Sequence, residues 1–134
     1  MKIALGLGCD RNTPVGTLRA VITAALGVSR QRMSDIVAVG SIDLKADEAA
    51  LLQLVAEENW PIRFYTAAEL ATVDVPHPSE TVRKYTGTPS VSEAAALLTA
   101  CPGNPDASLL IIEKLCHRGQ DGRNATVSIA RIPE

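Results

Sequence analysis

The chain has 134 residues, 46% of them hydrophobic, with a formal net charge of −2 and a mean hydropathy of +0.11. This length and composition predict one domain, residues 1–134, with enough apolar material for a core. The weakly acidic balance argues against a nucleic-acid binder, and one Trp, one Phe and two Tyr are too few for a base-stacking platform. No apolar run approaches the roughly 20 residues that span a bilayer, so no membrane association is predicted.

Three cysteines, Cys9, Cys101 and Cys116, form no CxxC pair and are odd in number. This pattern favours reduced thiols in a cytoplasmic protein over a disulfide framework. The N-terminal run Met1–Gly6 is too short for a signal peptide and is interpreted as the start of a first strand.

Strand and helix signals alternate along the first half of the chain. Lys2–Leu7 is a short apolar run that predicts a buried strand. Thr13 is the predicted cap of the first helix, with Pro14 in its first turn and Gly27 at its end. A second strand, a helix capped by an Asp, a third strand and a Thr-x-x-Glu capping box follow. We predict these elements at Ile36–Val39, Asp47–Asn59, Ile62–Tyr65 and Thr66–Glu69.

A second capping box is the clearest local signal in the sequence. Gly87-Thr88-Pro89 predicts a sharp turn, because Pro89 forces the residue before it into an extended conformation. The Ser90 hydroxyl would then accept a hydrogen bond from the amide of Glu93, while the Glu93 carboxylate accepts one from the amide of Ser90. The sequence therefore predicts a defined helix start, suited to an anion, for a helix at Val91–Ala100.

The remaining elements complete a fold prediction. Pro76 and Pro78 make Asp74–Ser79 a crossover loop, followed by one predicted helical turn through Val82 and Tyr85. Strands are predicted at Leu109–Ile112 and at Thr126–Arg131; the second alternates polar and apolar residues, which predicts a half-exposed edge strand antiparallel to the first. The fold class is α/β: a three-layer α/β/α single domain with a mostly parallel, mixed sheet of about five strands.

Polar residues follow the predicted strands, which points to a site. In folds of this class, ligands bind at the carboxyl edge of the sheet, where strands end and helices begin. Four segments should meet there: Gly8–Thr13, Ser41–Asp47, Thr66 and Pro76–Ser90. The polar and reactive residues that they supply are Cys9, Asp10, Arg11, Asp43, Lys45, Asp47, Glu48, His77, Ser79, Glu80, Thr88 and Ser90.

The first of these segments does not match a nucleotide-binding motif. Gly6 and Gly8 form GxG, but Arg11 occupies the third glycine position and no GKS or GKT follows. The two glycines are therefore interpreted as allowing a sharp turn. Arg11, beside the free amides at Thr13–Val15, could hold a carboxylate or phosphate bidentately; a solvated loop arginine is the alternative.

The second segment concentrates charge after a strand. Asp43 and Lys45 lie on one side of a predicted extended segment and could pair, or Lys45 could bind an acidic substrate or donate a proton. An ordinary helix entry, with Asp47 as the cap and Glu48 on the helix dipole, explains the acids without catalysis. That alternative leaves Lys45 unexplained.

The two histidines give weaker signals. His77, between two prolines, could act as an acid, a base or a metal ligand. His117 follows Cys116 in a predicted mobile loop, and no cysteine lies at ligand spacing, so no metal site is predicted. A serine nucleophile in GxSxG is absent from the sequence.

Four blocks occur in order along nearly the whole chain: Gly6–Thr13, Ile42–Glu48, Pro76–Glu80 leading to Gly87–Val91, and Glu93–Ala96. Together they resemble the family formed by the C-terminal domain of the cobalamin-biosynthesis protein CbiG and its free-standing relative CobE. Two positions depart from the family pattern: Asp10, where a basic or polar residue is more common, and His77, where Asn is expected. Lys114 matches a lysine that usually follows the fourth strand.

The resemblance implies a role in building the corrin ring of vitamin B12. The protein would bind a tetrapyrrole precorrin intermediate in the aerobic route, as a carrier or accessory factor beside other cobalamin-biosynthesis enzymes, with no cofactor of its own. Two alternatives stay open: a hydrolase that opens a lactone or removes a two-carbon fragment from a precorrin, and a protein-interaction module of a corrin-ring biosynthetic complex. Catalytic candidates for the hydrolase are Lys45, His77 and Ser79. The predicted ligand-binding residues are Gly8, Cys9, Arg11, Thr13, Asp43, Lys45, Ser79, Gly87, Thr88, Ser90 and Lys114.

Overall fold

Five strands form one mixed sheet in the computed structural model, which describes residues 1–76 and 91–133. The strands are β1 (Ile3–Cys9), β2 (Ile36–Ile42), β3 (Ile62–Tyr65), β4 (Leu110–Arg118) and β5 (Asn124–Arg131). The helices within the described residues are α1 (Val15–Ser29), α2 (Ala49–Glu58), α3 (Ala67–Ala71) and α4 (Ser92–Ala100). The predicted α/β class, with a mixed sheet of about five strands, is confirmed.

The strand order is β3-β2-β1-β5-β4. β1, β2 and β3 are parallel, whereas β5 is antiparallel to both of its neighbours, β1 and β4. The predicted antiparallel pairing of the last two strands is confirmed, but the prediction that the final strand lies at the sheet edge is wrong. β5 can lie inside the sheet because its polar residue Ser128 has hydrogen-bond partners where it is buried. The Ser128 hydroxyl lies 2.6 Å from the Glu113 carbonyl oxygen and 2.9 Å from the Ser92 hydroxyl.

Helices cover both faces of the sheet. α1 and α2 pack on one face, where large side chains such as Leu5, Leu18 and Leu54 form the main core. α3 and α4 pack on the other face, where the sheet presents small residues such as Ala4 and the helix presents alanines. The layer of side chains between sheet and helices is thus thinner on the second face, where α4 lies close to the strands.

Gly6 explains this close approach. It lies inside β1, paired with Gly40 on one side and Ser128 on the other. A Cβ at Gly6 would lie 1.8 Å from the backbone oxygen of Ser92, whereas a Cβ at Gly8 would meet nothing within 4 Å. The interpretation of Gly6 as a turn residue is therefore wrong, because its missing side chain seats the start of α4 on the sheet.

Two predicted helix caps are displaced by one residue. α1 begins at Val15 after Pro14, while Thr13 is buried and its hydroxyl donates to the Asp10 carbonyl oxygen at 2.6 Å. α2 begins after Glu48, so Asp47 lies outside the helix. In both cases the predicted cap residue makes other contacts, and these contacts fix the loops at the carboxyl edge.

The other helix ends vary in their agreement with prediction. α1 continues through Gly27 to Ser29, because Arg30 takes up the left-handed conformation (φ 58°) that ends it. The Thr66–Glu69 box is confirmed, with the Glu69 amide donating to the Thr66 hydroxyl at 3.0 Å and the Thr66 amide donating to Glu69 at 2.9 Å. Ser90, and with it the second capping box, lies outside the described residues, as do the predicted helical turn through Val82 and Tyr85 and most of the predicted crossover loop; α4 begins after Val91.

Candidate functional site

A cleft of about 240 Å³ opens at the carboxyl ends of β1 and β2. β5 runs antiparallel, so its first residues reach the same edge, and the start of α4 closes the cleft from above the sheet. This is the edge that the sequence predicted for the site. The described lining residues are Gly8, Cys9, Asp10, Ile42, Lys45, Val91, Ser92, Glu93, Lys114, Asn124 and Thr126.

The start of α4 places a buried carboxylate in the cleft wall. Glu93 is 2% exposed, and its Oε1 accepts a hydrogen bond from the Ser92 hydroxyl at 3.1 Å. The Ser92 hydroxyl in turn lies 2.9 Å from the hydroxyl of Ser128 on β5. This chain of hydroxyls ties the helix start to the sheet and orients the Glu93 carboxylate.

A second buried carboxylate supports the cleft from the loop after β2. Glu48 is 2% exposed, and its Oε2 accepts from the amide of Asn12 at 3.1 Å. Its Oε1 lies 3.4 Å from Arg11 Nη1 and 3.7 Å from Lys45 Nζ. Because Oε1 accepts no hydrogen bond from the described residues, it acts on the two cations through charge alone.

Lys45 is the least exposed cation that lines the cleft. Its side chain is 17% exposed. Lys45 ends a 3-10 helix (Asp43–Lys45) and lies three residues before Glu48. The extended segment and the Asp43–Lys45 pair considered from the sequence are therefore wrong, because Lys45 turns towards Glu48. The Lys45 ammonium consequently lies between the cleft and a buried counter-charge.

Arg11 is occupied by carboxylates of the protein itself. Its Nη1 donates to Asp47 Oδ1 at 2.9 Å, and its Nη2 donates to the Leu44 carbonyl oxygen at 3.1 Å. The Arg11 guanidinium lowers the pKa of the Asp47 carboxyl. Arg11 thus joins the loop after β1 to the loop after β2 and does not line the cleft.

Asp10 has a similar joining role at the rim. Its Oδ2 accepts from the amide of Asn124 at 2.8 Å and from the Asn124 side-chain nitrogen at 3.2 Å. Arg123 adds a bond from its Nε to the Arg11 carbonyl oxygen at 3.1 Å. The end of β1 is thereby fixed to the start of β5 on one side of the cleft.

The predicted ligand-binding residues and catalytic candidates fall into three groups. Gly8, Cys9, Lys45 and Lys114 line the cleft together. Arg11, Thr13 and Asp43 lie at the same edge but do not line it. His77, Ser79, Gly87, Thr88 and Ser90 lie outside the described residues, so their placement at the site stays a prediction.

Sequence reasoning did not name six of the lining residues as site residues: Ile42, Val91, Ser92, Glu93, Asn124 and Thr126. Asn124 and Thr126 were missed because the final strand was predicted at the sheet edge, and an internal antiparallel strand starts where its parallel neighbours end. Glu93 was treated only as a capping residue. The signal for Glu93 in the sequence was a carboxylate next to Ser92 at the start of an alanine-rich helix.

Cys116 and His117 lie in β4, which extends to Arg118 and corrects the predicted mobile loop. The turn after β4 is closed by the Gly119 amide, which donates to the Arg123 carbonyl oxygen at 2.8 Å. Within the described residues, no group of three or more His, Cys, Asp or Glu side chains is placed to hold a metal ion. No helix in the same residues is long and apolar enough to cross a membrane.

Cys9 is the one thiol in the cleft wall. Burial, as the largest effect, raises the pKa of this thiol above its ordinary value of 9.0, and the nearby Lys45 only partly offsets it. Cys9 is therefore a neutral thiol near pH 7 and a weak nucleophile, since the thiolate is the reactive form. This state favours a packing role over covalent catalysis.

We expect the alkylation of Cys9 to reach half its maximal rate at a higher pH than a free cysteine in an unfolded peptide, because the folded protein disfavours the thiolate. By the same linkage, its contribution to stability is fully present below the unfolded pKa and is lost as the pH rises towards the folded value. Mass-resolved iodoacetamide labelling from pH 7 to about 10 measures the rate. Cys9→Ser identifies the signal, and a Cys9 rate that equals the peptide's at each pH would contradict this prediction.

Comparisons with known proteins define the family. Residues 3–130 match the family described as Cobalamin synthesis G C-terminus. The chain is 34% identical over 131 residues to a cobalt-precorrin-5A hydrolase of Priestia megaterium, covering 98% of this chain and 32% of that protein. It is 36% identical over 115 residues to Protein CobE of a Sinorhizobium species, covering 84% and 72%.

Solved structures agree with this result. A crystal structure of CobE, a protein from the cobalamin biosynthetic pathway, superposes with a TM-score of 0.78 at 29% identity, over 98% of this chain and 91% of that one. Cobalamin biosynthesis protein chiG from Agrobacterium tumefaciens shares the fold with a TM-score of 0.65 at 23% identity, over 98% and 99%.

The mixed sheet is thus the fold of a group of cobalamin-biosynthesis proteins. This chain belongs to the family of the cobalamin synthesis protein G C-terminus, which includes CobE. It spans about a third of the length of the cobalt-precorrin-5A hydrolase that it matches.

Proposed function

We propose that this cobalamin-biosynthesis protein binds a precorrin, a tetrapyrrole intermediate of the corrin ring, and holds its carboxylates at the cleft. The observation that carries the proposal is the pair of lysines, Lys45 and Lys114, on opposite sides of one cleft at the carboxyl edge. A precorrin is a polycarboxylate, and paired ammonium groups are suited to bind it. An acidic protein must concentrate its few cations to bind such a ligand.

The size of the cleft suggests how the ring would bind. Pockets that enclose a drug-sized ligand have volumes of about 300–1,000 Å³, whereas the described cleft has about 240 Å³. The cleft is thus suited to an edge of the macrocycle with its acidic side chains, and the rest of the ring would lie across the opening. Lys45, which is largely buried and has its counter-charge behind it, would be the deeper contact, and the exposed Lys114 the outer one.

Binding as a carrier or accessory factor is favoured over covalent catalysis by the neutral thiol of Cys9. The second candidate function, hydrolysis of a precorrin, is favoured by one observation: the buried Glu93 carboxylate lies in the wall of the same cleft and could serve as a general base. Both functions require the ligand to bind at the cleft, and they differ in turnover.

Replacing Lys45 with methionine, which keeps the aliphatic stem, should weaken binding of uroporphyrin, a tetrapyrrole polycarboxylate, by about tenfold, as expected for one charge-assisted hydrogen bond. Lys114→Met should have a smaller effect that shrinks with salt, because the side chain is exposed. Absorbance titration measures both affinities, and the esterified porphyrin tests the need for carboxylates.

Lys2→Met is the matched control, since Lys2 is an exposed lysine outside the cleft. Equal affinities of the three lysine variants for uroporphyrin would overturn the proposal that the ligand binds at this cleft. Incubation with an isolated precorrin separates the two functions: stoichiometric binding without a new product supports the carrier, whereas repeated conversion that is lost in Glu93→Gln supports the hydrolase. If no tetrapyrrole binds at all, the interaction module becomes the better explanation.

A further inference from the structure

The buried carboxylate of Glu48, behind Lys45 in the cleft wall, is held by its own backbone and by a distant loop. Its amide donates to the Lys45 carbonyl oxygen at 3.0 Å, and its carbonyl oxygen accepts from the Leu52 amide at 3.1 Å in the first turn of α2. Its Oε2 accepts from the Asn12 amide at 3.1 Å, and the whole residue is 2% exposed. A carboxylate fixed in this way cannot follow a mobile charge, so the charge must come to it.

The other carboxylate oxygen of Glu48 has no structural task that explains it. Among residues 1–76 and 91–133, Oε1 is the one buried side-chain oxygen or nitrogen without a hydrogen-bond partner. Buried polar atoms nearly always have such a partner, so an exception needs a reason. Arg11 Nη1 lies 3.4 Å away but donates to Asp47. Lys45 Nζ lies 3.7 Å away and has no other ion pair in the described part of the chain.

The contact leaves the donors of Lys45 available. A separation of 3.7 Å is an ion pair and too long for a hydrogen bond. The Lys45 ammonium donates to none of the described residues, and it lines the cleft. A long lysine side chain loses much rotamer freedom when a ligand fixes it. Attraction by a rigid carboxylate restricts the side chain before any ligand is bound.

We propose that Glu48 is a positioning residue of the precorrin site, which holds the Lys45 ammonium at the cleft wall with its donors free for a ligand carboxylate. The inference rests on the proposed binding of a precorrin at this cleft. A lysine ordered in advance binds more tightly than a mobile one, because less freedom is lost on binding. The negative charge of Glu48 by itself repels an anionic ligand. Its charge and its positioning effect therefore change the affinity in opposite directions.

Glu48→Gln separates these two effects, since the amide keeps the volume and can accept from Asn12 but loses the charge. We expect uroporphyrin to bind about fivefold more weakly, as for one long side chain that must be ordered on binding, although the variant is the more positive protein. Asp47→Asn is the matched control. It changes the charge equally at the neighbouring residue, which is 80% exposed and pairs with Arg11, so its affinity should be unchanged or slightly higher.

Absorbance titration measures these affinities, and the Lys45→Met background shows whether Glu48 acts through the lysine. Adding Glu48→Gln to Lys45→Met should cause no further loss, because the side chain to be positioned is gone. A further fivefold loss in that background would mean that Glu48 acts on the shape of the cleft. That result, or a Glu48→Gln protein that binds as tightly as the parent, would overturn the proposal.

Carbon-13 relaxation of the lysine ε-carbons in the unliganded parent protein measures the positioning without a ligand and without a variant. We expect more restricted motion at Lys45 than at Lys2, an exposed lysine outside the cleft. Equal mobility of the two side chains would contradict the ordering of Lys45 by Glu48. A parent protein with a restricted Lys45 that does not bind uroporphyrin would instead contradict the proposed function alone.

Discussion

Gly6→Ala should destabilise the protein by about 3 kcal/mol or more, at or beyond the upper end of the range for overpacked cores. The added Cβ would lie 1.8 Å from the Ser92 backbone oxygen and 2.7 Å from the Ala96 amide nitrogen. Backbone cannot rotate away as a side chain can, so α4 must shift off the sheet. Urea unfolding measures the loss, which is a large share of the roughly 5–15 kcal/mol typical of a domain.

Gly8→Ala is the matched control for this prediction. Gly8 lies two residues further along the same strand, and a Cβ there meets nothing within 4 Å. Its stability should change by no more than about 0.5 kcal/mol, as for substitutions away from packed contacts. A Gly6→Ala protein with the unfolding midpoint of the parent would mean that α4 does not contact β1 as described.

Glu48→Ala should cost about 2–3 kcal/mol of stability. The substitution leaves the Asn12 amide without its acceptor and Lys45 without the carboxylate 3.7 Å from its ammonium. The figure lies below the 3–5 kcal/mol of a fully buried pair, because the second partner of Glu48, Arg11, is half exposed. Glu48→Gln should recover part of the loss, since an amide oxygen still accepts from Asn12.

Asp47→Ala provides the matched comparison at the neighbouring carboxylate. Asp47 makes the shorter contact to Arg11, at 2.9 Å, but its side chain is 80% exposed, so water and salt screen the pair and little stability should be lost. Chemical denaturation of the three variants ranks them. Equal losses for Glu48→Ala and Asp47→Ala would show that burial of Glu48 does not set its contribution.

The parallel half of the fold could be predicted from residue patterns, because short apolar runs and capping signals are local. Ile62–Tyr65 was predicted with the observed bounds, and so was the Thr66–Glu69 box. The position of β5 could not be predicted in this way. Ser128 follows the alternation of a half-exposed strand, and only the arrival of Ser92 from a distant helix makes its hydroxyl a buried, bonded group.

The cleft lies at the edge of the sheet where the sequence predicts the site, whereas the contacts of two charged residues at that edge differ from those predicted. Arg11 was a candidate for ligand binding because a loop arginine beside free amides is typical of anion sites. In the structure Arg11 donates instead to Asp47 and to the Leu44 carbonyl oxygen, and a local pattern cannot predict these contacts because both residues are far from Arg11 in the chain. Lys45 was the charge that helix capping did not explain, and the structure places it in the cleft wall.

The place of β5 in the sheet also governs how the molecule can fold. Ile3 pairs with Arg131, so the first strand acquires one of its two neighbours only when the last strand arrives. Contacts so distant along the chain slow folding, because the entropy of closing a long loop is lost before the contact stabilises it. During synthesis on the ribosome, the edge of β1 that pairs with β5 must therefore stay unpaired until β5 has been made, and an unpaired strand edge is prone to aggregation.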